Sequence, residues 1–187
     1  MRTLAWLLLG ATACTSSGDG SVTGDPPGGG FDVKDMISAT VTSSDGAGDD
    51  ASAARIVIAS TTNLCGDAAG SIDRKGQHFI LIELRDVAGA TKTAPTAPGS
   101  YTIYPNTGSE PAKSASLTVG GLDDTCQLVD DADASAQSGT VTLTSVTGGA
   151  FAGSFNVTLN TGGSLAGSFA PTACPQLATV SGERSCQ

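Results

Sequence analysis

Five cysteines, one histidine and three groups of aspartates are the residues whose chemistry could give this 187-residue chain an activity. An odd number of cysteines is unusual in an oxidised protein, so at least one of Cys14, Cys65, Cys126, Cys174 and Cys186 needs a separate role. Cys14 has one. Met1 to Ala13 reads as one positive charge at Arg2, a short apolar stretch, then Ala11-Thr12-Ala13, the charge–apolar–small layout of a secretory signal. The apolar part falls far short of the roughly 20 residues that span a bilayer. Two cleavage chemistries fit. Ala11-Thr12-Ala13 suits ordinary signal peptidase, and the same residues ending at Cys14 suit a lipobox, in which the cysteine is acylated and becomes the first residue; Ala11 replaces the usual Leu, Val or Ile. The arithmetic favours acylation, because it leaves Cys65, Cys126, Cys174 and Cys186 to form two disulfides in an oxidising compartment. Four cysteines allow three pairings. The short C-terminal loop suggests Cys174–Cys186, with Cys65–Cys126 as the other bond. Tetrahedral zinc is disfavoured, since no two of them stand at two-to-four-residue spacing.

The other reactive types carry weaker signals. His78 stands alone, beside Gln77 and Phe79, and no Gly-x-Ser-x-Gly elbow occurs to give it a serine to activate. Oxidised cysteines supply no thiolate. Gly28 to Gly30 precede neither Lys-Ser/Thr nor a helix, so no phosphate-cradling loop is expected. Asp45, Asp49 and Asp50, then Asp123 and Asp124, then Asp130, Asp131 and Asp133 could offer oxygen ligands to calcium. None follows the alternating Asp-x-Asp-x-Asp-Gly spacing, and turn-forming, solubilising aspartates explain them equally well. Glu83 interrupts an apolar run and is expected to pair with Arg55 or Arg85 on a neighbouring strand. A sugar-stacking platform lacks material: the lone tryptophan is Trp6, and Tyr101 and Tyr104 point to opposite faces of one strand. The sequence therefore predicts no catalytic residue, no metal ligand and no cofactor.

The framework that would carry these residues is β. Nine Lys+Arg against 18 Asp+Glu give a formal charge of −9, which disfavours a nucleic-acid partner, and the length allows one domain. Thr15 to Gly30 is rich in Ser, Thr, Gly, Asp and Pro and reads as a flexible tether. From Phe31 the apolar period is two. Phe151 to Leu159 alternates Phe, Gly, Phe, Val, Leu with Ala, Ser, Asn, Thr; Gly139 to Thr144 does the same before it, and Leu165 to Phe169 follows after a glycine turn. Three such strands make a meander. Further strands are expected at Ile37–Thr42, Arg55–Ser60, His78–Arg85, Tyr101–Tyr104 and Ser114–Val119, with a short helix within Thr62–Ser71. The runs Arg55–Ala59 and Phe79–Ile82 predict strands covered on both faces. The expected fold is all-β, a mainly antiparallel β-sandwich or small barrel of about eight strands stapled by two disulfides. The expected divisions are 1–13 signal peptide, 14–30 acylated cysteine and tether, and 31–187 β-domain.

Signal, Cys14, Gly/Ser/Pro tether and Thr/Gly-rich β-domain together resemble the many exported lipoproteins of Gram-negative bacteria that carry no assigned activity. Gly139–Cys174 looks like the C-terminal meander common among them. The resemblance implies a palmitate-bearing lipid anchor, and Thr15 after the cysteine resembles outer-membrane sorting. The resemblance covers architecture and address and brings no activity; with the catalytic sets missing, the expected role is a monomeric, non-enzymatic structural or interaction module, facing the periplasm or the surface, whose membrane contact is the anchor and whose envelope partner is unspecified. The alternative is a ligand-binding domain for metal or glycan, released from the cell if Cys14 is not acylated. A hydrolytic enzyme is the least favoured.

Overall fold

The computed structural model describes residues 18–29, 32–44, 50–180 and 183–187. Strands run along β1 (Asp19–Gly24), β2 (Asp35–Ser44), β3 (Asp50–Ala59), β4 (Ile72–Asp73), β5 (His78–Ala88), β6 (Thr91–Thr93) and β7 (Gly99–Ile103). They continue as β8 (Lys113–Gly121), β9 (Ala134–Thr147), β10 (Ala150–Leu159), β11 (Ser164–Ala170), β12 (Thr172–Ala173) and β13 (Ser185–Cys186). One helix, α1 (Leu64–Gly70), follows β3. All eight expected strands are present. The sheet holds 11 described strands, in the order β1-β11-β10-β9-β7-β8-β5-β3-β2-β12 with β6 beside β5. It curls into a half-barrel rather than dividing into two facing sheets, so the sandwich expectation and the count of about eight are both corrected. The curl brings β2 towards the β9–β10 turn, where the buried Ser38 hydroxyl donates to Gly149 O at 2.9 Å and accepts from the Phe151 N–H at 3.3 Å.

Alternation decides which side of the curled sheet each residue takes. Ile56 and Ile58 on β3, Ile80, Ile82 and Leu84 on β5, and Leu117 on β8 point inward with at most 1% exposure, meeting Phe151, Phe155 and Phe169 from the meander. The outer side of the same strands carries a second, smaller cluster. There Ile37, Val57 and Phe79 pack under Leu64, Ala68 and Leu177. The β3 run is thus covered on both faces, whereas in the β5 run Phe79 is covered and Leu81 stays half-buried outside both clusters.

Two junctions depend on buried acids. Asn63, at the start of α1, has φ 66° and gives its helix no side-chain cap. Asp35 supplies that function from β2: its Oδ2 accepts from the Leu64 N–H at 2.9 Å and its Oδ1 from the Met36 N–H at 2.8 Å. A carboxylate here satisfies an otherwise orphaned helix donor. Asp67, 3% exposed, receives both the Nε and Nη2 of Arg74, at 2.9 and 2.5 Å.

The tether expectation is corrected at residues 19–24, which form β1. β1 adds antiparallel to β11, with Asp19 opposite Ala170 and Gly24 opposite Leu165. Edge addition draws on backbone hydrogen bonds, so it does not need the apolar side chains whose absence suggested a tether. Small residues make the approach possible: a Cβ at Gly20 would collide with Met36 and with the Ser168 carbonyl.

Candidate functional site

The two disulfides are present, but their pairing differs from the expectation. Cys65 bonds Cys174, and Cys126 bonds Cys186. Cys174 is fully buried under α1, which carries Cys65. Nearness in sequence between Cys174 and Cys186 is overridden by the path between them. A 3-10 turn at Pro175–Ala178 redirects the chain, and β13 then pairs in parallel with β4, setting Cys186 opposite Asp73 and within reach of Cys126. Cys14 lies outside the described residues.

The remaining sequence candidates are scattered. Asp45 and Asp49 lie outside the described residues, and Asp50 opens β3. Asp123 Oδ1 accepts from the Thr125 N–H and hydroxyl, each at 2.7 Å, and from the Gln127 N–H at 3.0 Å, an Asx turn. Those hydrogen bonds, led by the one from Gln127, hold its carboxyl below 3.8. Asp130 and Asp131 begin a 3-10 turn, and Asp133 ends it. Among the described residues no group of three His, Cys, Asp or Glu side chains is arranged to hold a metal ion. His78 is half-buried at the start of β5, and its N–H donates to the Ser60 hydroxyl at 2.9 Å.

Polar side chains converge instead on the outer face of β5 and β8. Register places them. Glu83 faces Arg55 on β3 and Ser116 on β8, and Arg85 faces Ser114. Glu83 pairs with both predicted partners, Arg55 on the neighbouring β3 and Arg85 on its own strand rather than a neighbouring one: Arg55 Nη2 lies 2.6 Å from Oε1 and Arg85 Nη2 lies 3.0 Å from Oε2. β7 and β8 are parallel neighbours, so the chain between them must cross back over the sheet. That crossover, residues 104–112, lies above Glu83 and Arg85. It is pinned by the Tyr104 hydroxyl donating to Gly108 O at 3.1 Å, and Asn106 takes φ 60° within it. Glu110, at its far end, pairs with Lys92 of β6 at 2.7 Å. Burial alone would raise the Glu110 carboxyl; hydrogen bonds from Lys92 and Ser114, with the charges of Lys92 and Arg85, outweigh it and hold the group below 4.5.

Two hollows result. One, of about 370 Å³, is lined by Glu83, Arg85, Lys92 and Glu110. The other, of about 430 Å³, is lined by Thr118, Ser135, Gln137 and Asn160. Tyr104, Asn106 and Ser116 line both, so the hollows adjoin as one trough with these three residues at their junction. The tyrosines do point to opposite sides: Tyr101 is fully buried, its hydroxyl donating to Asp86 at 3.0 Å, while Tyr104 is half-exposed on the trough. Lys92, Asn106, Glu110, Gln137 and Asn160 were not singled out from sequence. Their assembly depends on the parallel β7–β8 pair, which leaves no local pattern.

A separate apolar groove of about 360 Å³ lies beside the disulfides, between α1, Phe79 and Leu177. Its rim carries the Arg74–Asp67 and Arg184–Asp73 ion pairs and Leu128, which is 65% exposed. No family model, curated protein or solved structure matches the chain.

Proposed function

We propose that this chain is an exported, lipid-anchored and non-enzymatic interaction module of the cell envelope. The supporting observation is the division of the cysteines. Four are joined in two disulfides, a state kept in oxidising compartments, and the fifth, Cys14, directly follows the signal-like Met1–Ala13. Acylation at sulfur and at the new amino terminus supplies the several chains that stable anchoring requires.

Because β1 begins at Asp19, only Thr15 to Gly18 separate the anchor from the sheet. Five Cα steps reach at most about 18 Å. The domain is therefore held close to its membrane, where a 16-residue tether would have let it range several times farther. Removing Arg2 with the signal leaves eight basic residues against 18 acidic ones, a formal −10, which disfavours binding to an anionic surface by charge alone. The acyl chains then provide the membrane contact.

Metabolic labelling with an alkyne-tagged palmitate tests this. The wild-type chain is expected to label and to fractionate with outer membranes, whereas Cys14→Ala is expected to remain unlabelled. Equal labelling of both proteins, or none of the wild type, refutes the anchor.

A second reading, a ligand-binding envelope domain, is favoured by the polar trough under residues 104–112. Its acids are already engaged by arginine and lysine, which suits recognition better than proton transfer.

A further inference from the structure

We infer that the trough with Tyr104 at its junction is a binding site for a neutral oligosaccharide, with one sugar unit on each side of that junction. The inference rests on the ligand-binding reading and names its ligand class.

Charge excludes the simpler ligands. The first hollow presents two acids, Glu83 and Glu110, and two bases, Arg85 and Lys92, bonded in pairs. An anion entering would meet both carboxylates, and a cation would meet the guanidinium and the ammonium. A neutral polyol meets neither penalty, because each of its hydroxyls both donates and accepts. One donor is waiting: Arg85 Nε is buried with no hydrogen-bond partner. A buried unmet donor costs stability, and a shift of the Arg85 side chain toward a ligand oxygen would satisfy it.

The second hollow is uncharged. Among the described residues, the side chains of Asn106, Ser116, Thr118 and Gln137 make no hydrogen bond to other protein groups. Amides and hydroxyls so placed offer donors and acceptors in equal measure. Both hollows, about 370 and 430 Å³, exceed the roughly 300 Å³ at which small-molecule sites begin. At their junction stands the Tyr104 ring, fixed by its hydroxyl on Gly108 O. An immobilised aromatic face can take the apolar face of a sugar ring at little entropic cost.

The test is amide NMR on the ¹⁵N-labelled, disulfide-bonded protein, titrated separately with maltotriose, cellotriose, laminaritriose and chitotriose to about 10 mM. At least one is expected to shift the amides of Asn106, Ser116, Gln137 and Asn160. Tyr104→Ala is expected to weaken that binding at least about tenfold, and Tyr104→Phe, which keeps the ring but loses its bond to Gly108 O, to weaken it less. Gln137→Ala, at an exposed position that leaves the core intact, is expected to weaken it about threefold. Acetate and inorganic phosphate form the control arms. If either shifts those amides and no trisaccharide does, the oligosaccharide inference falls while the ligand-binding reading survives. If nothing shifts them, both fall. Binding unchanged in Tyr104→Ala and Gln137→Ala also overturns the inference.

Discussion

Replacing Cys65 and Cys174 together by alanine isolates the contribution of the longer-range staple. The bond joins positions 109 residues apart and so closes a loop of about 110 residues in the unfolded chain. In the chain-entropy account such a loop is worth about 5 kcal/mol at 25 °C, against about 4 kcal/mol for the 60-residue separation of Cys126 and Cys186. Packing adds to the first figure, because Cys174 is fully buried in the outer apolar cluster, whereas Cys186 is exposed near the terminus. It subtracts from the second. Without Cys126–Cys186, residues 183–187 are held mainly by Arg184 on Asp73 and by the two-residue β4–β13 pair, so fraying would return entropy to the native state. The expected order is therefore a large loss for Cys65→Ala/Cys174→Ala and a smaller one for Cys126→Ala/Cys186→Ala. Urea denaturation followed by circular dichroism measures both, and in a domain of this size the first should lower Tm by about 10 to 20 °C. A loss under about 2 kcal/mol for the Cys65/Cys174 variant, or a reversed order, would refute the reasoning.

Three other substitutions and one truncation probe single features. Asp35→Ala removes the remote acceptor of the Leu64 and Met36 amides and should destabilise by about 2 kcal/mol, read by urea denaturation; a cost below about 0.5 kcal/mol would mean α1 starts without it. Glu110 has its carboxyl lowered on folding, so its contribution is complete above the ordinary 4.5 and is lost as pH falls through the depressed value. Glu110→Gln should then flatten the acid side of a Tm–pH profile, and an unchanged profile would contradict that sign. Gly139→Ala meets a φ of 122° and a collision with the Asn156 carbonyl and Val157, predicting a loss of at least about 2 kcal/mol by thermal melting. A chain starting at Asp25 lacks β1 and bares the β11 edge; light scattering should show faster aggregation than for an otherwise identical unacylated chain starting at Thr15.

Much of this architecture is legible because it is local. The meander from β9 to β11 shows as strict alternation, Leu64–Gly70 falls within the expected helical segment, and Glu83 announces its arginines by standing alone in an apolar run. What escapes is non-local. β1 has a composition that reads as linker because its stability comes from the β11 backbone and not from its own side chains. The disulfide pairing follows from where β2 and β4 carry their neighbours, so loop length between cysteines misleads. The trough depends on a crossover over the outer sheet face. Tyr104, Asn106 and Glu110 look like ordinary loop residues until the parallel β7–β8 pair lays them above Glu83 and Arg85.

The division of five cysteines into one anchor and two staples is tested most directly by mass spectrometry of the native protein. Intact mass reports the N-terminus, and a non-reducing digest reports the bonds. The account predicts a chain beginning at an acylated Cys14, with no thiol alkylated before reduction and with peptides linked as Cys65–Cys174 and Cys126–Cys186. A chain retaining Met1, an unmodified Cys14, or a peptide joining Cys65 to Cys126 would contradict it.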